Sequence, residues 1–137
     1  ANATELGDPF RMARNLHQLA EIGAAQGRRA EALDQLGRSM RMNLEHHRLG
    51  DYSQQLRLAA RLAEDLGRLD AAAFLAGAAE PHAGADRSMP PDDLQPHQAR
   101  LARLREQLGA EAFEQAGLLG RTADTGRVLA LLVEMAR

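Results

Sequence analysis

The sequence predicts an all-α chain of about seven helices. Apolar residues recur at i, i+3 and i+4 along nearly the whole length. Strand signals are almost missing: Val occurs twice, Ile and Thr are scarce, and no stretch alternates. Aromatics make up only 3% and Trp is absent, so the core must come from Leu, Ala and Met, a composition suited to closely packed helices.

The first helix starts after Gly7-Asp8, where Asp8 can cap and Pro9 fits the first turn. Its stripe is Phe10, Ala13, Leu16, Ala20 and Gly23, with Leu19 beside it, and Gly27 stops it. The second runs from about Arg29 to His47 on Leu33, Leu36, Gly37, Met40 and Leu44, with His47 closing the face. Leu49-Gly50-Asp51 ends it and restarts the chain. The third carries Tyr52, Leu56, Ala59, Ala60, Leu62, Ala63 and Leu66 and stops at Gly67. The fourth, Asp70 to Glu80, is rich in small residues around Phe74 and Leu75, and Pro81 ends it. A loop over 81–91 follows, in which Pro90-Pro91 fixes the approach to the next helix. Asp92 or Asp93 caps that fifth helix, whose stripe is His97, Leu101, Leu104 and Leu108. Gly109 ends it. Ala110 to Leu119 forms a short sixth helix with Phe113. Asp124 or Thr125 caps the seventh, which buries Val128, Leu129, Leu132 and Met135.

A length of 137 residues, 45% of them hydrophobic, suits one compact domain over 1–137. Seventeen basic residues against 19 acidic ones argue against direct nucleic-acid binding, which favours a basic excess. Every one of those basic residues is Arg; with the many Ala this fits GC-rich codon usage and is no sign of recognition chemistry. The absence of Cys excludes disulfides and thiolate metal sites. No apolar run has membrane or signal length, so the expectation is a cytoplasmic protein without membrane contact. The chain begins Ala-Asn-Ala, which suggests a piece of a longer protein.

The first eighty residues repeat. "LGDPF" at 6–10 returns as "LGDYS" at 49–53, and "GRRAEALDQLG" at 27–37 as "GRLDAAAFLAG" at 67–77. At an offset of 40, Gly27 meets Gly67, Gly37 meets Gly77, Leu16 meets Leu56, Ala20 meets Ala60 and Ala32 meets Ala72. The alanines allow two antiparallel helices to approach closely, and the glycines supply positive-φ turns. Residues 6–80 are therefore two helix-hairpin repeats, and 92–137 a set of capping helices. The pattern of Leu16/Leu56, Ala20/Ala60, turn glycine, then Ala32/Ala72 resembles the tetratricopeptide repeat, although the usual aromatics are missing and the unit is nearer 40 residues. That resemblance implies a right-handed solenoid with a C-terminal cap.

Beyond the repeats, "AAAFLAGAAEPHAGADRSMPPDDL", then "HQARLARLREQLGAEAFEQAGLLGR", then "TADTGRVLALLVEMAR" follow in a specific order. That order resembles the extreme C-terminal region of bacterial signal-transduction ATPases: LuxR-type transcriptional regulators related to the maltose regulator, and their cyclase-linked relatives. The Trp usual near Gly117 is absent here. The resemblance implies a non-catalytic protein-interaction or sensory module of a transcription regulator, coupled to an ATPase and an output domain elsewhere in the polypeptide. It implies no cofactor. Its partners would be a protein, the preceding repeats of the same chain or a small-molecule effector. A stand-alone peptide- or small-molecule-binding protein is the alternative.

The candidate partner surface is Arg11, Met12 and Arg14 on the first helix with Arg57 and Arg61 on the third; such arginines suit an anionic ligand or peptide in a groove, and more often face solvent beside acidic residues. Five His have no metal-ligand spacing: His46 and His47 are adjacent and point about 100° apart on a helix. No Ser has a nucleophile's context, and Glu64-Asp65 has no acid–base partner, so an enzyme is not expected. The first helix is expected to leave Phe10, Met12 or Ile22 partly uncovered, so that the isolated chain self-associates.

Overall fold

A computed structural model describes residues 8–48, 51–82 and 91–137. Over those residues it is helical, with no strand. The helices are α1 (Pro9–Ala25), α2 (Arg29–Glu45), α3 (Tyr52–Asp65), α4 (Leu69–Ala79), α5 (Pro91–Leu108), α6 (Ala110–Thr122) and α7 (Thr125–Ala136), with a 3-10 turn at Glu80–His82 after α4. Leu6-Gly7 and Leu49-Gly50 of the paired openings, and the middle of the expected loop at 83–90, fall outside the described residues.

The helix starts follow the local chemistry of caps. Asp8 Oδ1 accepts from the Phe10 and Arg11 N–H groups at 3.1 and 3.2 Å, and Pro9 takes the first helical position. Asp124 Oδ1 accepts from the Arg127 N–H at 2.8 Å. The expected cap at Asp92 or Asp93 is not what starts α5. That helix begins at Pro91 and already contains both residues. Proline suits a first helical position, because its missing N–H would be unpaired there anyway. Pro96 is carried one turn further in, at the loss of one backbone donor.

The two hairpin turns are copies of each other. Gly27 and Gly67 have φ of 80° and 79°. Arg28 N–H donates to Gly23 C=O and Arg68 N–H to Ala63 C=O, each at 2.8 Å, while Gly27 and Gly67 N–H donate to Ala24 and Glu64 C=O. This pair of bonds is the Schellman cap, which needs a left-handed residue where the glycine stands. The end of α2 makes a third copy with His47 in the glycine's place, at φ 56°. His47 is exposed and closes no apolar face. The αL position turns it away from the helix stripe at a steric cost of about 1 kcal/mol.

Within the hairpins, Ala20, Ala60, Ala32 and Ala72 are all buried. α1 meets α2 through small residues, and a Cβ placed on Gly23 would lie 3.5 Å from that of Ala32. The buried face of α1 is thus Ala13, Ala20, Gly23 and Ala24. Leu16 is half-buried, and its other large apolar residues are uncovered: Phe10 is 42% and Ile22 49% exposed, with Met12 and Leu19 similar. Phe10 therefore does not join the buried stripe; its ring stands edge-on to His46, centroids 5.6 Å apart.

The C-terminal helices cover the second helix of each hairpin. α4 is buried over Ala71 to Ala79, as a stretch that is apolar on every face demands. α3, α5 and α6 surround it. α6 crosses α4 at backbone contact: a Cβ on Gly77 would overlap the Gly117 carbonyl, and one on Gly120 the Phe74 carbonyl. α7 returns to lie on α2, where a Cβ on Gly37 would sit 3.7 Å from that of Leu132. The repeat-matched glycines 37 and 77 thus both lie under C-terminal helices. α7 also reaches the α4 hairpin: Arg68 pairs with Glu134 at 3.4 Å, and the Arg127 guanidinium lies 5.7 Å from the Phe74 ring centroid. Near its start, burial and the Asp124 carboxylate push the Tyr52 phenol up to about 12, so it stays protonated. α5 is tied to α3 by Glu64, which accepts from Arg103 Nε and Nη2 at 3.2 and 3.0 Å and lies 3.4 Å from Arg100 Nε. One apolar cluster runs through α1–α5 and α7, with Leu104 from α5, and Phe113 of α6 packs against it.

Candidate functional site

α1, the end of α2 and the start of α3 form a cleft of about 480 Å³ to which none of α5–α7 contributes a lining residue. Its floor is a polar network inside an otherwise apolar junction. Ser39 and Gln55 are buried, Gln55 to 1% exposure. The Ser39 hydroxyl donates to the Ala13 carbonyl at 2.6 Å. Its one proton is spent there, so its oxygen accepts from Gln55 Nε2 at 3.0 Å. That fixes the Gln55 amide orientation. Gln55 Nε2 also faces His17 Nδ1 at 3.4 Å. An amide nitrogen only donates, so Nδ1 accepts and the imidazole proton sits on Nε2, which points at Glu21 Oε1 at 2.8 Å. The chain of bonds Glu21–His17–Gln55–Ser39–Ala13 stitches α1, α2 and α3 together.

One acceptor of this network is left over. Gln55 Oε1 is buried and takes no hydrogen bond from the protein. A buried carbonyl without a donor costs free energy, about 1–3 kcal/mol by mutational measure. Such a cost is tolerated most readily where something else supplies the donor.

The walls are charged. Arg11 and Arg14 come from α1 and Arg48 from just beyond α2, and Asp8 and Asp51 also line the cleft. Asp8 is committed to capping α1. Arg48 is held at the mouth by its guanidinium lying 4.0 Å over the Phe10 ring, a cation–π contact. Arg14 and Arg48 form no ion pair among the described residues. The cleft therefore combines two unpaired guanidiniums at the rim with an unanswered acceptor at the floor.

Of the sequence candidates, Arg11 and Arg14 line this cleft. Met12 is exposed and takes no part in it. Arg57 and Arg61 lie on another face of α3 and turn their charge toward α5: Arg57 acts on His97, and both Arg61 and Arg103 on Arg100. The five residues are not one surface. Gly27 and Gly67 form the turns and the four repeat alanines the hairpin interiors, away from the cleft walls. The missed residues are His17, Ser39, Asn43, Arg48 and Gln55. One signal for them was present: at the repeat offset Ser39 matches Ala79, both positions are buried, and only the first hairpin carries a hydroxyl there.

A second cleft of about 380 Å³ lies between α4, α5 and α6. Its charges are largely answered: Arg121 pairs with Glu80 at 2.8 Å and Arg105 with Glu114 at 2.9 Å. Burial, reinforced by the Arg57 and Arg100 charges and opposed by Glu80, holds the His97 imidazole below its ordinary range, so it is neutral at pH 7. Among the described residues no three of His, Cys, Asp and Glu are placed to hold a metal ion, and no helix is long and apolar enough to cross a membrane. Compared with protein-family models, with curated proteins and with solved structures, the chain matches none.

Proposed function

We propose that this chain is a non-catalytic, effector-binding helical module of a cytoplasmic bacterial transcription regulator, with its ATPase and output domains elsewhere in the polypeptide. The cleft between α1, α2 and α3 carries the reading. It has a built polar floor, in which the Ser39 hydroxyl is committed to the Ala13 carbonyl, and charged walls. The tetratricopeptide-like repeat and the C-terminal sequence order supply the rest, by their resemblance to LuxR-type signal-transduction ATPases. The uncovered Phe10, Met12, Leu19 and Ile22 on α1 suit a further hairpin of the same polypeptide stacked on that side.

In this account an effector bridges α1, α2 and α3. It thereby favours one relative placement of the two hairpins, and that preference is passed to the attached ATPase. Binding at the junction of three helices, instead of along one of them, is what gives the ligand leverage over their arrangement. ATP hydrolysis by the natural polypeptide is expected, and Arg14→Glu, which reverses a charge on the cleft wall, is expected to change its rate several-fold. A polypeptide that does not hydrolyse ATP, or whose rate ignores the substitution, contradicts the coupling.

A further inference from the structure

We propose that the cleft takes a small organic anion, a carboxylate or a phosphate, that also bears an O–H or N–H donor: the anion lies against Arg14 and Arg48, and the donor is accepted by Gln55 Oε1. The proposal deepens the effector-module reading and rests on it.

Three features of the cleft point to this class. Its volume of about 480 Å³ is that of a metabolite site. Its rim brings together the guanidiniums of Arg14 and Arg48, neither in an ion pair among the described residues, near Asp51 and a capping Asp8. Guanidinium forks match carboxylate and phosphate oxygens, so these two unpaired guanidiniums suit an anion. At its floor the two protons of Gln55 Nε2 go to Ser39 and His17, and the Ser39 proton to Ala13, which leaves Gln55 Oε1 as the unanswered group of that network. An anion without a donor satisfies the rim but leaves Oε1 unanswered. A neutral polyol satisfies the floor but leaves the arginines unmatched. Discrimination against a ligand that lacks the donor is the stronger kind, because the site itself is then left with an unpaired buried group.

The test uses the isotope-labelled 137-residue chain at pH 8, titrated with five probes and followed by amide chemical shifts. Acetate and methyl phosphate present the anion alone, the phosphate being a dianion at that pH. Glycerol presents donors alone. Glycolate and glycerol 3-phosphate present both, and the better of the two decides between carboxylate and phosphate. The expected result is shifts centred on Ala13, Ser39 and Gln55, with the two-featured probe binding about tenfold tighter than its donor-less counterpart. Arg14→Ala, an exposed position, should weaken that probe about fivefold or more. Gln55→Leu should erase the difference between paired probes.

Equal affinity for glycolate and acetate, and for glycerol 3-phosphate and methyl phosphate, overturns the proposal. So does glycerol binding as tightly as either anion, a full response in Arg14→Ala, or shifts that avoid the cleft. Each of those outcomes leaves the module reading to the ATP-hydrolysis measurement, so the two can fail separately.

Discussion

Gly120→Ala is expected to destabilise the fold by about 3 kcal/mol or more, the upper end of what overpacking costs. The new methyl would overlap the Phe74 carbonyl oxygen and come within 2.9 Å of the Ala78 backbone nitrogen. Both obstacles are backbone atoms of the stretch of α4 that is buried from Ala71 to Ala79, so nothing flexible can move aside. α6 must lift from α4, and the apolar cluster opens beneath it. The melting temperature should fall on the order of 10 °C. Gly37→Ala is the internal control. It is also a helical glycine under a C-terminal helix, but its Cβ would meet Leu132 at an ordinary 3.7–3.8 Å. Replacing a mid-helix glycine then removes an entropic penalty of roughly 0.5–1 kcal/mol, so this variant should be neutral or more stable. If Gly120→Ala and Gly37→Ala behaved alike, the backbone crossing of α4 and α6 would be wrong.

Leu132→Ala is expected to cost about 3 kcal/mol, within the range for a fully buried leucine. Leu132 lies in the core cluster and is the residue that α7 presents to Gly37. The cavity cannot close easily, because on the α2 side glycine has no side chain to fill it. Val133→Ala, one residue on and exposed, should cost little. Denaturant unfolding of the two variants checks the orientation of α7 as well as its docking. A large effect at Val133 with a small one at Leu132 would place the wrong face against α2.

The helices were legible in the sequence because their ends are local chemistry. Asp8 and Asp124 cap through contacts to residues two or three positions away, and Gly27 and Gly67 are needed for a positive φ. α5 was misplaced at its start because Asp92 and Pro91 are both good beginnings, and the proline lies earlier. The repeat offset located the hairpins and the alanines within them. It did not show where α7 goes. Its stripe of Val128, Leu132 and Met135 says only that one face is buried, and the partner, Gly37, lies some ninety residues away. The same limit applied to the cleft. Arg11 and Arg14 are visible as a pair on one helix, but Ser39, Arg48 and Gln55 join them only when three helices meet. Arg57 and Arg61 look equivalent to them in sequence and belong to a different face. Phe10 falls in the helical stripe by spacing, yet small neighbours make the contact, and it is left partly uncovered, as expected for α1 together with Met12 and Ile22.

The central claim, that this chain serves a larger regulator, is tested most directly by the mass of the natural polypeptide that carries it, read by immunoblot from its own cells. The account predicts a polypeptide of many hundreds of residues. A band near 14.9 kDa, the mass of the chain itself, would contradict it and leave a free-standing binding protein built on the same cleft.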